Sequence, residues 1–518
     1  MILAGLILIP FLGGLLCWQG ERFGEAPRWI ALATMVAVLI TALALWAGAD
    51  FQLADPGAAA WLWELRLPWI PRFGIEFHLA LDGLSLVLIA LTGFLGILAV
   101  LCSWKEVQEG IGFFHLNLLF VLGGVVGVFL AVDLFLFFVF WEMMLVPMYF
   151  LIALWGHSEP GGKTSTYAAV KFFIYTQAGG LLMLAAILAL VFAHQANTGE
   201  LTFSYEALLA TTLSNELALV LMLGFFIAFA VKLPVVPLHG WLPDAHAQAP
   251  TAGSVDLAGI LLKTGAYGLL RFALPLFPEA SAQFAPVAMG LGVLGIFYGA
   301  VLACGQTNIK RLIAYTSISH MGFVLIGIYS GSTLALQGAL VLMVAHGLSA
   351  AGLFVLGGQL YERLHTRDMS QMGGLWGRLG SLPGFSLGFV AAALGMPGTA
   401  NFVGEFMVLL GTFPTAPWIV VLASGGLILS AIYALTLMQK VYFGPAQKSA
   451  PLPGLDPREY SMLLGTFALV LLFGLFPQPL LDTTSTVMSG VQGLFEAPVA
   501  EAPQGGGTSE MTIDRGGL

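Results

Sequence analysis

The chain has 518 residues, of which 58% are hydrophobic and only 9% charged, a composition far outside that of soluble globular domains and expected of a polytopic membrane protein. Its net charge of −9 includes no basic block suited to nucleic acid. Cys17, Cys102 and Cys304 lie far apart with no Cys-x-x-Cys or mixed Cys/His cluster, and neither a dinucleotide fingerprint nor a phosphate-binding lysine loop occurs. These features leave no metal, iron–sulfur or cofactor site readable in the chain.

A spanning helix needs about 20 mostly apolar residues. Fourteen such runs follow one another at 2–19, 29–49, 79–104, 113–132, 134–155, 167–194, 216–237, 251–275, 284–304, 310–330, 334–361, 380–412, 416–444 and 460–480. The first has no basic region before it and no small-residue cleavage site, so it is expected to be a retained span. The tail from Ala497, with Gly505, Gly506 and Gly507, reads as a disordered end. An even number of spans places both termini on one side. Arg22, Arg28, Lys105, Lys163, Lys310, Arg311, Arg363, Arg367, Arg378, Lys440, Lys448 and Arg458 flank loops after odd-numbered spans, against Arg66, Arg72, Arg515 and Arg271 on the other side. The positive-inside rule then predicts that both termini are periplasmic in the inner membrane of a bacterium.

Four ionisable residues stand deep inside apolar runs: Glu142, Lys232, Lys263 and Glu405. Each costs roughly 2.5–3.5 kcal/mol at a bilayer centre on insertion scales, so a functional reading is the default. Lys171 lies one turn into its span, where a lysine snorkels to the headgroups. Glu142, in Phe140-Trp141-Glu142-Met143, has no other charge in its run, and Lys232 is its natural partner by depth. Such a pair acts as a switch, because parting its members changes the proton affinity of both. The alternative is a static ion pair that fixes helix packing, a poor source of net stability. Lys263, beside Thr264 and Gly265, is the candidate central relay. His320 and His346, on adjacent spans, are candidate carriers between Lys263 and Glu405, suited to it by the unperturbed histidine pKa near 6.5. His239 and His246 are expected at the interface.

Lys232 is followed by Pro234 and Pro237, and Glu405 is preceded by Gly395, Pro397 and Gly398. Proline removes a backbone donor and clashes with the preceding turn, so spans seven and twelve are expected to be broken. Non-helical backbone at membrane depth survives only inside protein or along a wet cavity. Two breaks five spans apart predict two inverted five-helix repeats, at 113–275 (spans 4–8) and 284–444 (spans 9–13). Residues 1–112 then hold spans 1–3, and 445–518 hold span 14 and the tail. The expected fold is an all-α bundle of about 14 transmembrane helices.

Trp141-Glu142, the stretch Lys232-Leu233-Pro234-Val235-Val236-Pro237-Leu238-His239-Gly240-Trp241-Leu242-Pro243-Asp244-Ala245-His246, Ala249-Pro250-Thr251 and Lys310-Arg311 through Ala314-Tyr315-Thr316-Ser317 together resemble the antiporter-like subunits of proton-pumping NADH-quinone oxidoreductase, respiratory complex I. The resemblance covers nearly the whole chain. Pro397-Gly398-Thr399-Ala400-Asn401-Phe402-Val403-Gly404-Glu405-Phe406 resembles the M-type branch, since L- and N-type relatives carry lysine where this chain has Glu405. The resemblance implies fourteen helices with inverted repeats and a proton pathway through Glu142, Lys232, Lys263 and Glu405. It also implies membrane-arm partners including L- and N-type subunits, with FMN, iron–sulfur clusters and quinone held by partner subunits and no cofactor here. A multi-subunit sodium/proton antiporter uses the same axis without a redox partner, and a non-conducting spacer of the membrane arm is a third reading.

Overall fold

The computed structural model describes residues 1–49, 51, 61–158, 162–445 and 452–496. The tail from Ala497, Lys448 and Arg515 lie outside the described residues. Helices dominate. Chain order begins with α1 (Ile2–Gln19) and α2 (Ala26–Gly48), then a two-stranded antiparallel hairpin, β1 (Trp63–Ile70) and β2 (Ile75–Leu81), followed by α3 (Gly83–Glu106) and α4 (Ile111–Leu130). The hairpin was not anticipated. Its signal was the alternation Trp63-Glu64-Leu65-Arg66-Leu67 with Gly74 at the turn, in the left-handed conformation at φ +64° that glycine adopts without strain.

The fifth pass is α5 (Leu134–Met143) and α6 (Leu145–Trp155), which part at Met144, one turn before Pro147, whose ring opposes the carbonyl of Met143. The sixth is α7 (Ser165–Thr198), and the short α8 (Tyr205–Leu209) lies in the following loop. The seventh begins as α9 (Asn215–Lys232) and ends at the lysine. A turn through Pro234 and Pro237 leads to the stub α10 (Leu242–Gln248). The eighth pass is continuous but irregular: α11 (Thr251–Asp256), a π-helical turn at Leu257–Leu261, α12 (Leu262–Gly268), a second π-turn at Leu269–Ala273, and α13 (Leu274–Leu276).

The second half holds α14 (Pro278–Cys304), α15 (Ile309–Tyr329), α16 (Thr333–Leu364), α17 (Leu382–Ala393), α18 (Ala400–Thr412), α19 (Pro417–Val441), α20 (Pro457–Leu475) and α21 (Gln478–Glu496). Among the described residues, thirteen segments are long and apolar enough to cross a membrane. The shorter α17 and α18, 12 and 13 residues, are joined by residues 394–399 and together form one interrupted pass, the twelfth. The all-α, fourteen-pass reading therefore holds, with breaks at passes seven and twelve. The last span ends earlier than expected, at Leu475, because Pro477 stops it and α21 begins as a separate helix.

Pass eight is the buried axis of the bundle, wholly enclosed by other helices, as is α16 over its most apolar stretch. Its two ends are clamped by charge. The Glu106 carboxylate at the end of α3 accepts the Thr251 N–H at 3.0 Å and so caps α11, where the helix dipole favours an anion. At the other end Arg271 pairs with Asp82, which also caps α3 by accepting the Ser85 N–H at 2.9 Å.

The α10 stub is held by cations. Asp244, 2% exposed, takes Lys163, Lys171 and Arg311, each at 2.7 Å. Lys171 therefore ends on a carboxylate rather than at the headgroups. Lys310 donates to the Ala249 carbonyl at 2.9 Å and Arg367 to the Ala247 carbonyl at 2.6 Å, meeting oxygens that a helix C-terminus leaves unbonded. Burial alone would raise the proton affinity of Asp244. The three cations outweigh it and hold the carboxyl below its usual range. A carboxyl depressed in the folded state contributes stability above the unfolded pKa and loses it as pH falls through the folded value, so this cluster is intact at neutral pH.

Asp244→Asn leaves three cations around a neutral amide. Because those cations are partly exposed, the expected loss is about 1–3 kcal/mol rather than that of a fully buried pair. A lowered thermal midpoint of the detergent-purified protein checks it; an unchanged midpoint would show that α10 is held by its backbone contacts alone.

Candidate charged axis

Glu142 is the penultimate residue of α5, two residues before the Met144 break. Its carboxylate lies against Gly180 of α7, so close that a Cβ there would stand 1.9 Å from Oε1. Gln177, one turn earlier on α7, is beside it. Glycine at 180 is what gives the carboxylate room between the helices. Lys232, the last residue of α9, is buried, and its Nζ takes no hydrogen-bond acceptor among the described residues. It rests over the rings of Trp141 at 5.3 Å and Phe172 at 5.7 Å, whose negative faces attract a cation. Glu142 and Lys232 therefore interact through space rather than by a direct hydrogen bond. Trp241 donates to the Val231 carbonyl at 2.9 Å, satisfying the end of α9 where the prolines stop it.

Lys263 stands in α12 directly after the first π-turn and is completely buried. Its ammonium donates to the Ala258 carbonyl inside that turn and meets His346 Nδ1 at 2.8 Å. The approach of α16 depends on Gly347, where a Cβ would lie 2.8 Å from the Gly259 carbonyl. The His346 and His320 ring centroids are 5.5 Å apart. His320 Nε2 is 2.9 Å from the Ala393 carbonyl, at the broken end of α17, and 3.5 Å from Glu405 Oε1 on α18. Glu405 in turn faces Gly395 of the break, held at φ +76°, where a Cβ would stand 2.6 Å from Oε2. Both glutamates thus use a glycine for space, Gly180 for Glu142 and Gly395 for Glu405.

The structure therefore brings Lys263, His346, His320 and Glu405 into one contiguous chain. No hydrogen bond among the described residues joins Lys232 to Lys263. Their helices instead touch backbone to backbone at Gly265, where a Cβ would lie 2.6 Å from the Phe229 carbonyl.

Two residues differ from the sequence reading. His246 is wholly buried and stacks on Phe354 at 4.4 Å, with neither ring nitrogen bonded, and His239 is also buried, against Tyr298. Neither is interfacial, because the stub α10 is covered by α15 and by loop cations instead of facing the headgroups. Asp256, at the end of α11, is completely buried with neither carboxylate oxygen bonded by protein. It satisfies the same criterion as the four charges already named, an ionisable group in an apolar run, and was overlooked because it stands only six residues from Pro250. Buried polar atoms without a protein partner call for water, and those on this axis include Glu142 Oε1, His320 Nδ1, His346 Nε2 and both polar atoms of Asn401.

Residues 131–432 match the family model described as NADH:quinone oxidoreductase/Mrp antiporter, TM. The chain is 64% identical over 496 residues to NADH-quinone oxidoreductase subunit M of Pseudomonas aeruginosa, covering 95% of this chain and 97% of that one. The subunit M of Escherichia coli is 64% identical over 500 residues, covering 96% and 98%. Among solved structures, a chain of respiratory complex I from Thermus thermophilus superposes with a TM-score of 0.84 at 32% identity, covering 96% of this chain and 100% of that one. A chain of the Mrp complex from Dietzia, at 23% identity and a TM-score of 0.79, covers 95% of this chain and 52% of its own, and shows a shared fold. The chain belongs to the subunit M family of NADH-quinone oxidoreductase, the antiporter-like membrane subunits of respiratory complex I.

Proposed function

We propose that this chain carries protons across the bacterial inner membrane along Glu142, Lys232, Lys263, His346, His320 and Glu405, driven by electron transfer from NADH to quinone in other subunits. The observation that carries the reading is the unbroken contact series from Lys263 to Glu405. Hydrogen-bond logic assigns its tautomers. A carbonyl only accepts, so His320 Nε2, beside the Ala393 oxygen, bears the hydrogen and Nδ1 keeps the lone pair. The Lys263 ammonium donates to His346 Nδ1, which leaves the hydrogen of His346 on Nε2.

Each group then offers a donor to the next acceptor. Lys263 gives a proton to His346 Nδ1, His346 Nε2–H passes its proton to His320 Nδ1 directly or through water, and His320 Nε2–H gives its proton to Glu405 when the ring leaves the Ala393 carbonyl. His346 Nε2 and His320 Nδ1 both lack protein partners, which leaves them free for this exchange directly or through one water. In the first half, Lys232 is held by ring faces and the field of Glu142 rather than by contact, so a small shift of α5 or α9 changes that field.

The remaining parts of the reading follow from the same architecture. Breaks at passes seven and twelve support two inverted repeats at 113–275 and 284–444, between an N-terminal unit at 1–112 and a C-terminal segment at 445–518. The placement of the basic loops supports periplasmic termini. The partners are the other membrane-arm subunits, L- and N-type among them, with FMN, iron–sulfur clusters and quinone in partner subunits.

Glu405→Gln keeps the size of the side chain against Gly395 but removes the titrating oxygen. Proton pumping by the assembled enzyme should fall about tenfold or more, as should pumping in Glu142→Ala. Full pumping in an assembled complex, judged on a native gel, would demote the axis to architecture. Gly180→Ala tests the carboxylate's position. Because its Cβ meets the free end of a flexible side chain, assembly and thermal midpoint should stay close to those of the parent while pumping falls. A drop in stability with unchanged pumping per electron would instead make Gly180 a packing glycine.

A further inference from the structure

We propose that Glu64, His78 and Glu206 form a binding site for a divalent transition-metal ion, of which Zn²⁺ is the best match, clamping the β1–β2 hairpin to α8. Cross-strand register sets Arg66 opposite His78 and Glu64 opposite Ala80, so Glu64, Arg66 and His78 share one face of the hairpin. Glu206, on α8, arrives at that face from the loop after the sixth pass. One ligand atom from each of Glu64, His78 and Glu206 lies within 4.8 Å of the others.

The hydrogen bonds define what an ion would replace. His78 Nε2 stands 2.8 Å from Glu64 Oε1, and Trp61 Nε1 donates to Glu206 Oε1 at 3.3 Å. Arg66 holds Glu76 at 2.6 Å and Glu206 only at 3.4 Å. Zinc bonds to imidazole nitrogen and carboxylate oxygen are about 2.0–2.2 Å, which sets tetrahedral ligand atoms roughly 3.3–3.6 Å apart. Reaching that spacing needs a small opening of the Glu64–His78 contact and a turn of the half-exposed Glu206 side chain, with Arg66 staying on Glu76.

Charge and burial both favour a cation there. Glu64, Glu76 and Glu206 face the single guanidinium of Arg66, and three negative charges less one positive leave −2. Arg271, over the Trp61 ring, is already taken by Asp82. His78 brings the nitrogen ligand: it is wholly buried, and its Nε2 meets the Glu64 carboxylate, where an ion replaces the shared proton. A set of one nitrogen and two carboxylate oxygens suits Zn²⁺ better than Mg²⁺ or Ca²⁺, which prefer all-oxygen shells, and three protein ligands leave the fourth position to water. The ion would crosslink the strand that leads into α3 with the loop between α7 and α9.

The test is zinc binding by the purified, assembled complex after stripping with a chelator and equilibration with Zn²⁺. Bound metal is counted by mass spectrometry and affinity measured by titration. The parent should hold one equivalent more than His78→Ala or Glu206→Gln, with affinity for that equivalent at least about tenfold weaker in Glu64→Gln. Glu206→Gln changes an exposed side chain and should assemble even if His78→Ala does not. Equal zinc content and affinity in the parent and Glu206→Gln would overturn the proposal.

Discussion

An interrupted helix at membrane depth leaves carbonyls and N–H groups that lipid cannot satisfy, and everything else in this bundle is arranged around that constraint. The seventh pass stops at Lys232, and the chain does not resume as a helix until Leu242. The exposed ends are met from elsewhere in the protein: Trp241 bonds the Val231 carbonyl, while Lys310 and Arg367 take the carbonyls of α10. Asp244 gathers one cation from α15 and two from the first half. The break in the first half is thus stabilised by side chains of both halves, Lys310, Arg311 and Arg367 coming from the second. A motion of α10 cannot occur without working against α15, which carries His320 nine residues beyond Arg311. That linkage is a physical route by which one half of the subunit can bias the other.

The twelfth pass handles the same constraint differently. Its loose carbonyl, Ala393, is bonded by His320 of the proposed proton axis, and its left-handed Gly395 faces the Glu405 carboxylate. Here the satisfaction of the break and the chemistry of the site share atoms. A fixed cap would serve packing better, whereas this one bonds the Ala393 carbonyl only while His320 Nε2 bears its hydrogen. The eighth pass contributes in a third way. Its π-turn opens the carbonyl of Ala258 to the Lys263 ammonium, which supplies a polar partner to a charge that apolar walls would otherwise exclude.

Much of this was legible in the sequence, for definite reasons. Apolar runs of about 20 residues fixed the number of passes, because lipid leaves the chain few alternatives. Pro234, Pro237 and Pro397 located both breaks. The four charges inside apolar runs, with His320 and His346, stood out because each is expensive where it is. What could not be read was contact. Nothing in the chain says that Lys263 bonds a histidine 83 residues away, or that Lys232 stops short of Glu142 and rests on Trp141 and Phe172. The π-turns were invisible, since Leu257–Leu261 carries no proline and a single glycine such as Gly259 is tolerated inside a helix. Asp244 stood in the sequence only as one residue of a longer motif, and its role as a hub exists only because α7, α10 and α15 converge on it.

The two halves of the axis differ in a way that bears on how energy enters. From Lys263 to Glu405 the groups lie side by side, so on the proposed pathway a proton there needs only ring rotation and a bridging water to move. From Glu142 to Lys232, and from Lys232 to Lys263, the charges are separated by ring faces and by a backbone contact at Gly265. A contiguous wire cannot by itself impose direction, because it conducts either way. Separated charges can, since the field at Lys232 depends on where α5 holds Glu142, and α5 ends in a break that permits it to move. On the proposed function, the coupling step belongs to the Glu142–Lys232 region, and the groups from Lys263 onward transmit what that step decides.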